Sequence, residues 1–165
     1  MSRTGLLLKE LHAAETELAA AYHAVAERHT ADHGTSYPCH TLAAQCEAHA
    51  EQIRGWGGRY GAALHPPVHS DLLTAARDAL RHEGSELLGR RPGSGLLLLR
   101  DLRRLYVKAE ATYINWIMLG QAARALRDQD LLTALGPLQQ QTRTQATWIT
   151  TRIKEAAPQI LVATD

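Results

Sequence analysis

A chain of 165 residues, 45% apolar and 21% charged, suits one domain spanning residues 1–165. Its formal net charge of +1 gives no global field to gather nucleic acid or a membrane surface, and neither is expected as a partner. There is no Phe and aromatics are only 5%, which argues against sheets, while the many Ala, Leu, Arg, Glu and Gln residues favour helix.

The first predicted helix runs from about Thr4 to His29. Its apolar stripe is Leu7, Leu11, Ala14, Leu18, Tyr22 and Val25, the spacing of one helix face. Lys9 and Glu10 interrupt any signal-like apolar stretch, so a cytoplasmic protein is expected. Glu15 stands inside the stripe, about 40° from Leu11 at roughly 100° per residue. A buried carboxylate must be paired, protonated or bound to a metal.

Asp32, His33 and Gly34 break this helix, and Ser36 offers a cap just before Pro38. The second predicted helix spans about Tyr37 to Ala63, with Cys39, Leu42, Ala43, Cys46, Ala50, Ile53, Gly57 and Tyr60 inward. Cys39 and Cys46 are about two turns apart on it, roughly 10 Å, too far for a mutual disulfide. Pro66 and Pro67 stop it. A short helix follows from Ser70 and Asp71 to about His82, then a GRRPGSG loop.

The third helix is predicted from near Ser94 to about Arg127. Its longest purely aliphatic run, Leu96 to Leu99, is far too short to cross a bilayer. After a turn at Asp128 to Asp130 comes the fourth helix, with Leu131, Leu135, Leu138, Thr142, Ala146, Ile149 and Ile153 on one face. Gly136 and Pro137 either kink it or mark its start. Short first and last connections make antiparallel pairs, and the long middle one is enough to travel a helix length. The fold class is therefore all-α, a ferritin-like four-helix bundle with a long crossover between the second and third helices that holds a short helix. An up-and-down bundle with a helical insert is the alternative.

Reflecting Glu15 through the first turn lands near Ala50, and His49 lies one residue away, roughly 1.5 Å along the axis. Glu15 and His49 are thus expected in one layer, although His49 is about 60° off the centre of its stripe. Cys46, one turn from His49, points inward. A metal-free pair, with Glu15 hydrogen-bonded to His49, Tyr or Gln, is one reading of this layer; a small metal site is the other.

The segment Leu11 to Leu18, LHAAETEL, resembles the LYxAExxL opening of some bacterial ferritin-like proteins, and QCEAHAEQI resembles their second helix. The resemblance implies a metal-ligand role for Glu15 and His49, with Cys46 where a glutamate is expected, and Glu110 in AEATY as a third-helix glutamate. The fourth helix, LQQQTRTQATWITTRIKEA, lacks the family's second Glu-x-x-His. The implied ligand set is then Glu15, Cys46, His49 and Glu110, enough for one iron, zinc or manganese ion at most and too small for a two-metal reaction. Glu110 has a competing reading as a boundary carboxylate paired with an arginine.

No HExxH, CxxC, phosphate loop or nucleophile elbow occurs. Arg90, Arg91, Arg100, Arg103 and Arg104 form a group suited to an acidic partner or to solvent. Besides its main stripe of Leu98, Leu102, Leu105, Ala109, Tyr113, Trp116 and Gly120, the third helix carries Val107, Ala111, Ile114, Met118 and Ala122 at intervals of three and four, which predicts a second face covered by the short helix at residues 71–82 or by another subunit, with a homodimer through it the preferred reading. Three functions are compatible with this: a divergent ferritin-like protein with a reduced metal site and no catalysis, a metal-free interaction or scaffold subunit, and a redox enzyme with unrecognised ligands.

Overall fold

The computed structural model describes residues 1–66 and 94–163. Among them are four long helices and no strand: α1 (Arg3–Arg28), α2 (His33–Gly57), α3 (Ser94–Ala125) and α4 (Gln129–Leu161), with a 3-10 turn at Gly58–Tyr60. The short helix expected after Ser70, and most of the loop that follows it, lie outside the described residues.

Each helix boundary has a local cause. Ser2 caps α1 by accepting from Gly5 N–H at 2.9 Å. The α2 start differs from the expected Tyr37. Asp32 begins the helix instead, its carbonyl accepting from Thr35 and Ser36 N–H and its carboxylate from the Thr35 hydroxyl at 2.7 Å. Ser36 does not cap α2; its hydroxyl donates to Ala26 O at 3.0 Å and ties α2 to α1. Pro38 is tolerated inside α2 because the carbonyl it deprives of a donor belongs to exposed Gly34. Likewise α4 runs unbroken through Pro137 from Gln129, and Asp128 caps it by accepting from Leu131 N–H at 2.9 Å. Gly61, at φ 69°, turns the chain out of the 3-10 segment.

Contacts between helix ends give the topology. At one end of the bundle Ser2 donates to Tyr60 O at 2.9 Å, and Arg59 and Tyr60 both bond Asp128. Gly5 allows this approach, since a Cβ there would sit 2.6 Å from Tyr60 O. At the other end Arg28 and His29 bond Asp101 at 2.7 and 2.8 Å, and Arg152 bonds Asp32 at 2.7 Å. So α1 and α4 run one way and α2 and α3 the other. The chain leaves α2 at one end and enters α3 at the opposite end, as the long-crossover reading required. The α1–α2 and α3–α4 pairs are antiparallel neighbours, with α1 packed on α3.

Two apolar clusters fill the interior. One gathers Leu18, Tyr22, Cys39, Cys46, Leu102, Leu105 and Ile149. The other gathers Leu8, Leu11, Ile53, Trp116, Leu119, Leu131 and Leu138. Between them every helix interrupts its apolar stripe at the same level, with Glu15, His49, Thr112, Thr142 and Gln145 all buried.

Candidate functional site

The interruption is a connected polar layer at the waist of the bundle. Glu15 sits between Leu11 and Leu18 on α1 and is 0% exposed; His49 sits between Cys46 and Ile53 on α2 and is 1% exposed. His49 Nδ1 lies 3.1 Å from Glu15 Oε1, and its Nε2 lies 2.7 Å from Gln141 Oε1 on α4. Trp116 on α3 donates its indole N–H to the same Glu15 Oε1 at 2.7 Å. The Trp116 ring also meets His49 edge-on at 5.9 Å and Trp56 at 6.3 Å. One carboxylate oxygen thus joins α1, α2 and α3, and His49 adds α4.

His49 stands between two side-chain oxygens, Glu15 Oε1 at its Nδ1 and Gln141 Oε1 at its Nε2. Burial alone would lower the His49 pKa. The hydrogen bond and charge of Glu15, with Gln141 as a second acceptor, outweigh it and raise the pKa. The buried Glu15–His49 pair is closed off by the Trp116 indole N–H on one side and the Gln141 side-chain amide on the other.

Glu15 Oε2 is buried with no hydrogen-bond partner. The Cys46 thiol lies close to the carboxylate without completing a hydrogen bond to Oε2. Burial pushes the thiol pKa well up, and the charge of Glu15 adds to the rise. Cys46 instead shares Gln145 on α4, at 3.6 Å from its Oε1. Tyr22 donates to Gln145 Oε1 at 3.2 Å, and Gln145 donates to Gln45 at 2.7 Å. Burial, with Asp32 and Asp101 nearby, pushes the Cys39 thiol up to about 12. Neither free cysteine is a ready nucleophile or thiolate ligand.

The structure therefore gathers Glu15, His49 and Cys46 and leaves Glu110 engaged elsewhere. Glu110 is partly exposed on α3, 3.8 Å from Arg143 of α4, the arginine pairing that competed with its ligand reading. Among the described residues, no three His, Cys, Asp or Glu side chains are arranged to hold a metal ion. The donor chemistry gives the reason. Glu15 Oε1 and both His49 nitrogens already have protein partners, so only Oε2 and a protonated thiol remain. As arranged, these residues do not fit a metal.

Three participants escaped the sequence reading. Trp116 was assigned to the apolar stripe of the third helix, and its N–H gave no signal there. Gln141 and Gln145 lie one turn apart, each one residue before a stripe position (Thr142 and Ala146). That i, i+4 pair of amides was the available signal. The two glutamines stand on the helix that lacked ligands and supply amide oxygens in their place. Asp101, 2% exposed and held by Arg28 and His29, was also missed.

Among the described residues no helix covers the second stripe of α3. Val107 is 60%, Ile114 51% and Met118 43% exposed, with Ala111 exposed between them. No helix among the described residues is long and apolar enough to cross a membrane. An apolar hollow of about 420 Å³ between α2 and α4, lined by Tyr37, Pro38, Thr41, Leu42, Thr144 and Trp148, contains no charged group to orient a ligand. Comparison with protein-family models, with curated proteins and with solved structures finds no match for this chain.

Proposed function

We propose that this chain is a non-catalytic bundle of the ferritin-like type that works as a binding subunit. In this reading the family's metal layer has become a metal-free ion pair, and the pair fixes which helix faces meet. One observation carries the proposal: both nitrogens of His49 are already within hydrogen-bond distance of protein groups, on α1 and α4. A ligand histidine must leave one nitrogen lone pair for the metal. The opposed direction of α1 and α4 against α2 and α3, with a crossover along the bundle, supports the ferritin-like part of the reading.

A buried ion pair is a poor stabiliser compared with apolar residues of the same size. Its best-attested use is to specify register. Here the pair and its two neutral partners come from four different helices, so a slip of any helix would strand a buried charge.

The test is elemental analysis of the full chain purified without affinity tag or chelator. The expected metal content is far below one per chain and unchanged by Glu15→Ala. Near-stoichiometric iron, zinc or manganese that disappears on Glu15→Ala or His49→Ala overturns the reading.

That outcome would favour a second one, the reduced metal site, which the partnerless Glu15 Oε2 beside Cys46 supports. Cobalt(II) titration separates them further. A thiolate-to-cobalt absorption band lost on Cys46→Ser belongs to the second reading alone.

A further inference from the structure

We infer that the outward face of α3 docks an amphipathic helix of another protein whose acidic residues meet Arg100, Arg103 and Arg104. The proposal rests on the reading of the chain as a binding subunit and names the surface and the partner chemistry.

At roughly 100° per residue, Val107, Ala111, Ile114 and Met118 lie on the side of α3 opposite its buried stripe of Leu98, Leu102, Leu105, Ala109 and Trp116. They are not a margin of the core. The same outward strip continues over two turns toward the N-terminus as Arg104, Arg103 and Arg100, and then reaches Leu96, all exposed. None of the three guanidinium groups pairs with a carboxylate among the described residues. The face therefore carries a positive band at Arg100 to Arg104, with Leu96 beyond it, and is apolar along the next three turns. Its apolar members are adaptable aliphatic side chains, with Met118 able to repack against different partners. A helix laid along it would meet apolar anchors at three- and four-residue spacing and would gain charge-assisted bonds at one end only.

A second copy of the chain fits this face poorly. Parallel pairing stacks the arginines on one another. Antiparallel pairing about the Ala111–Ile114 midpoint sets Val107 on Met118, and also sets Arg103 on Ala122 and Arg104 on Gln121. Neither arrangement gives the guanidinium groups an acid. An anionic membrane surface fits poorly too. Membrane-surface helices carry basic residues along their polar flanks and bulky Trp, Phe or Leu on the apolar side. This strip has its arginines in one band across the apolar side itself, with Leu96 alone beyond them and small or medium side chains between them and Met118.

The experiment selects from a displayed library of amphipathic helices against the full chain, then measures the enriched sequences as synthetic peptides. The expected binders carry Asp or Glu clustered at one end. Their affinity falls at least tenfold with Ile114→Glu, and at least tenfold with Arg103→Glu combined with Arg104→Glu. These exposed substitutions leave the helical circular dichroism signal and the melting temperature unchanged. The proposal is overturned if no helix is enriched or if binders ignore Ile114→Glu. A dimer mass by light scattering that Ile114→Glu abolishes would assign the face to a second copy. Binding to phosphatidylglycerol vesicles without any peptide binding would assign it to a membrane. Metal content plays no part in these outcomes, so this proposal and the reading beneath it fail separately.

Discussion

Two buried carboxylates among the described residues are paired with histidines, and they are built in opposite ways. Asp101, at the end of α3 that meets α1, is held by two groups from one neighbouring helix, Arg28 at 2.7 Å and His29 at 2.8 Å. Arg28 is a quarter exposed, so water reaches this pair. Burial would raise the Asp101 pKa, but the His29 hydrogen bond and the Arg28 charge win and lower it. Glu15, at the waist, has one cation, one indole N–H and an oxygen with no partner. The end pair has both a guanidinium and an imidazole on its carboxylate and sits near solvent. The waist pair has a single imidazole partner and both side chains are buried. The first is a tie between helices α1 and α3; the second is a constraint that all four helices share.

Single deletions should expose this difference. His49→Ala leaves a carboxylate buried without its cation and is expected to cost about 3–5 kcal/mol in urea unfolding. Asp101→Asn is expected to cost less, about 1.5–3 kcal/mol, because Arg28 can turn to water. If Asp101→Asn proves the more damaging, the waist is not the critical layer.

The double replacement sharpens the point. Glu15→Met with His49→Leu removes both charges at similar volume and should recover most of the loss, or exceed the parent stability. The recovered protein should nevertheless show broader, less dispersed NMR signals if the pair's role is register. A double variant as unstable as His49→Ala would mean the cost came from packing and not from charge.

The pH dependence separates the two sites by sign. The His49 pKa is raised above its ordinary 6.5, so its stabilisation is complete below that value and is lost as pH rises through the folded value. The Asp101 pKa is lowered from 3.8, so its stabilisation is present above that value and lost as pH falls through the folded one. Stability against pH should therefore show an alkaline arm that the Glu15→Met, His49→Leu variant flattens and an acid arm that Asp101→Asn reduces. Thermal melts across the range read both, and an alkaline arm unchanged by the double variant would remove His49 from the account.

The smallest effect is expected at the neutral partner. Gln141→Ala should cost about 1 kcal/mol and reduce the alkaline arm, because Gln141 holds one of the two His49 protons. No change in the pH profile would break the link between α4 and the layer.

Much of the fold was legible because its signals are additive along the chain. Apolar spacing gave four helices, and connection lengths gave their directions. The misplacement of Glu15 in a stripe, with a reflected partner in His49, located the layer before any coordinate did. The rest depended on information that spacing does not carry. Ser36 and Pro38 read as a helix start, yet Asp32 reached Thr35 and began the helix earlier, with Ser36 turned onto Ala26. Trp116 read as bulk because a stripe position does not reveal where an indole N–H points. Gln141 and Gln145 read as an empty fourth helix because a search for ligands discounts amides. In this layer amides are what complete the hydrogen bonds.

The account stands or falls on the protonation of one ring. Long-range proton–nitrogen NMR correlation of the His49 side chain, in protein purified without added metal, reads both nitrogens directly. The expected result is an imidazolium with two protonated nitrogens that persists above pH 6.5 and does not move with excess zinc. A neutral ring at pH 6.5, or a nitrogen signal that shifts stoichiometrically with zinc, contradicts the metal-free ion pair.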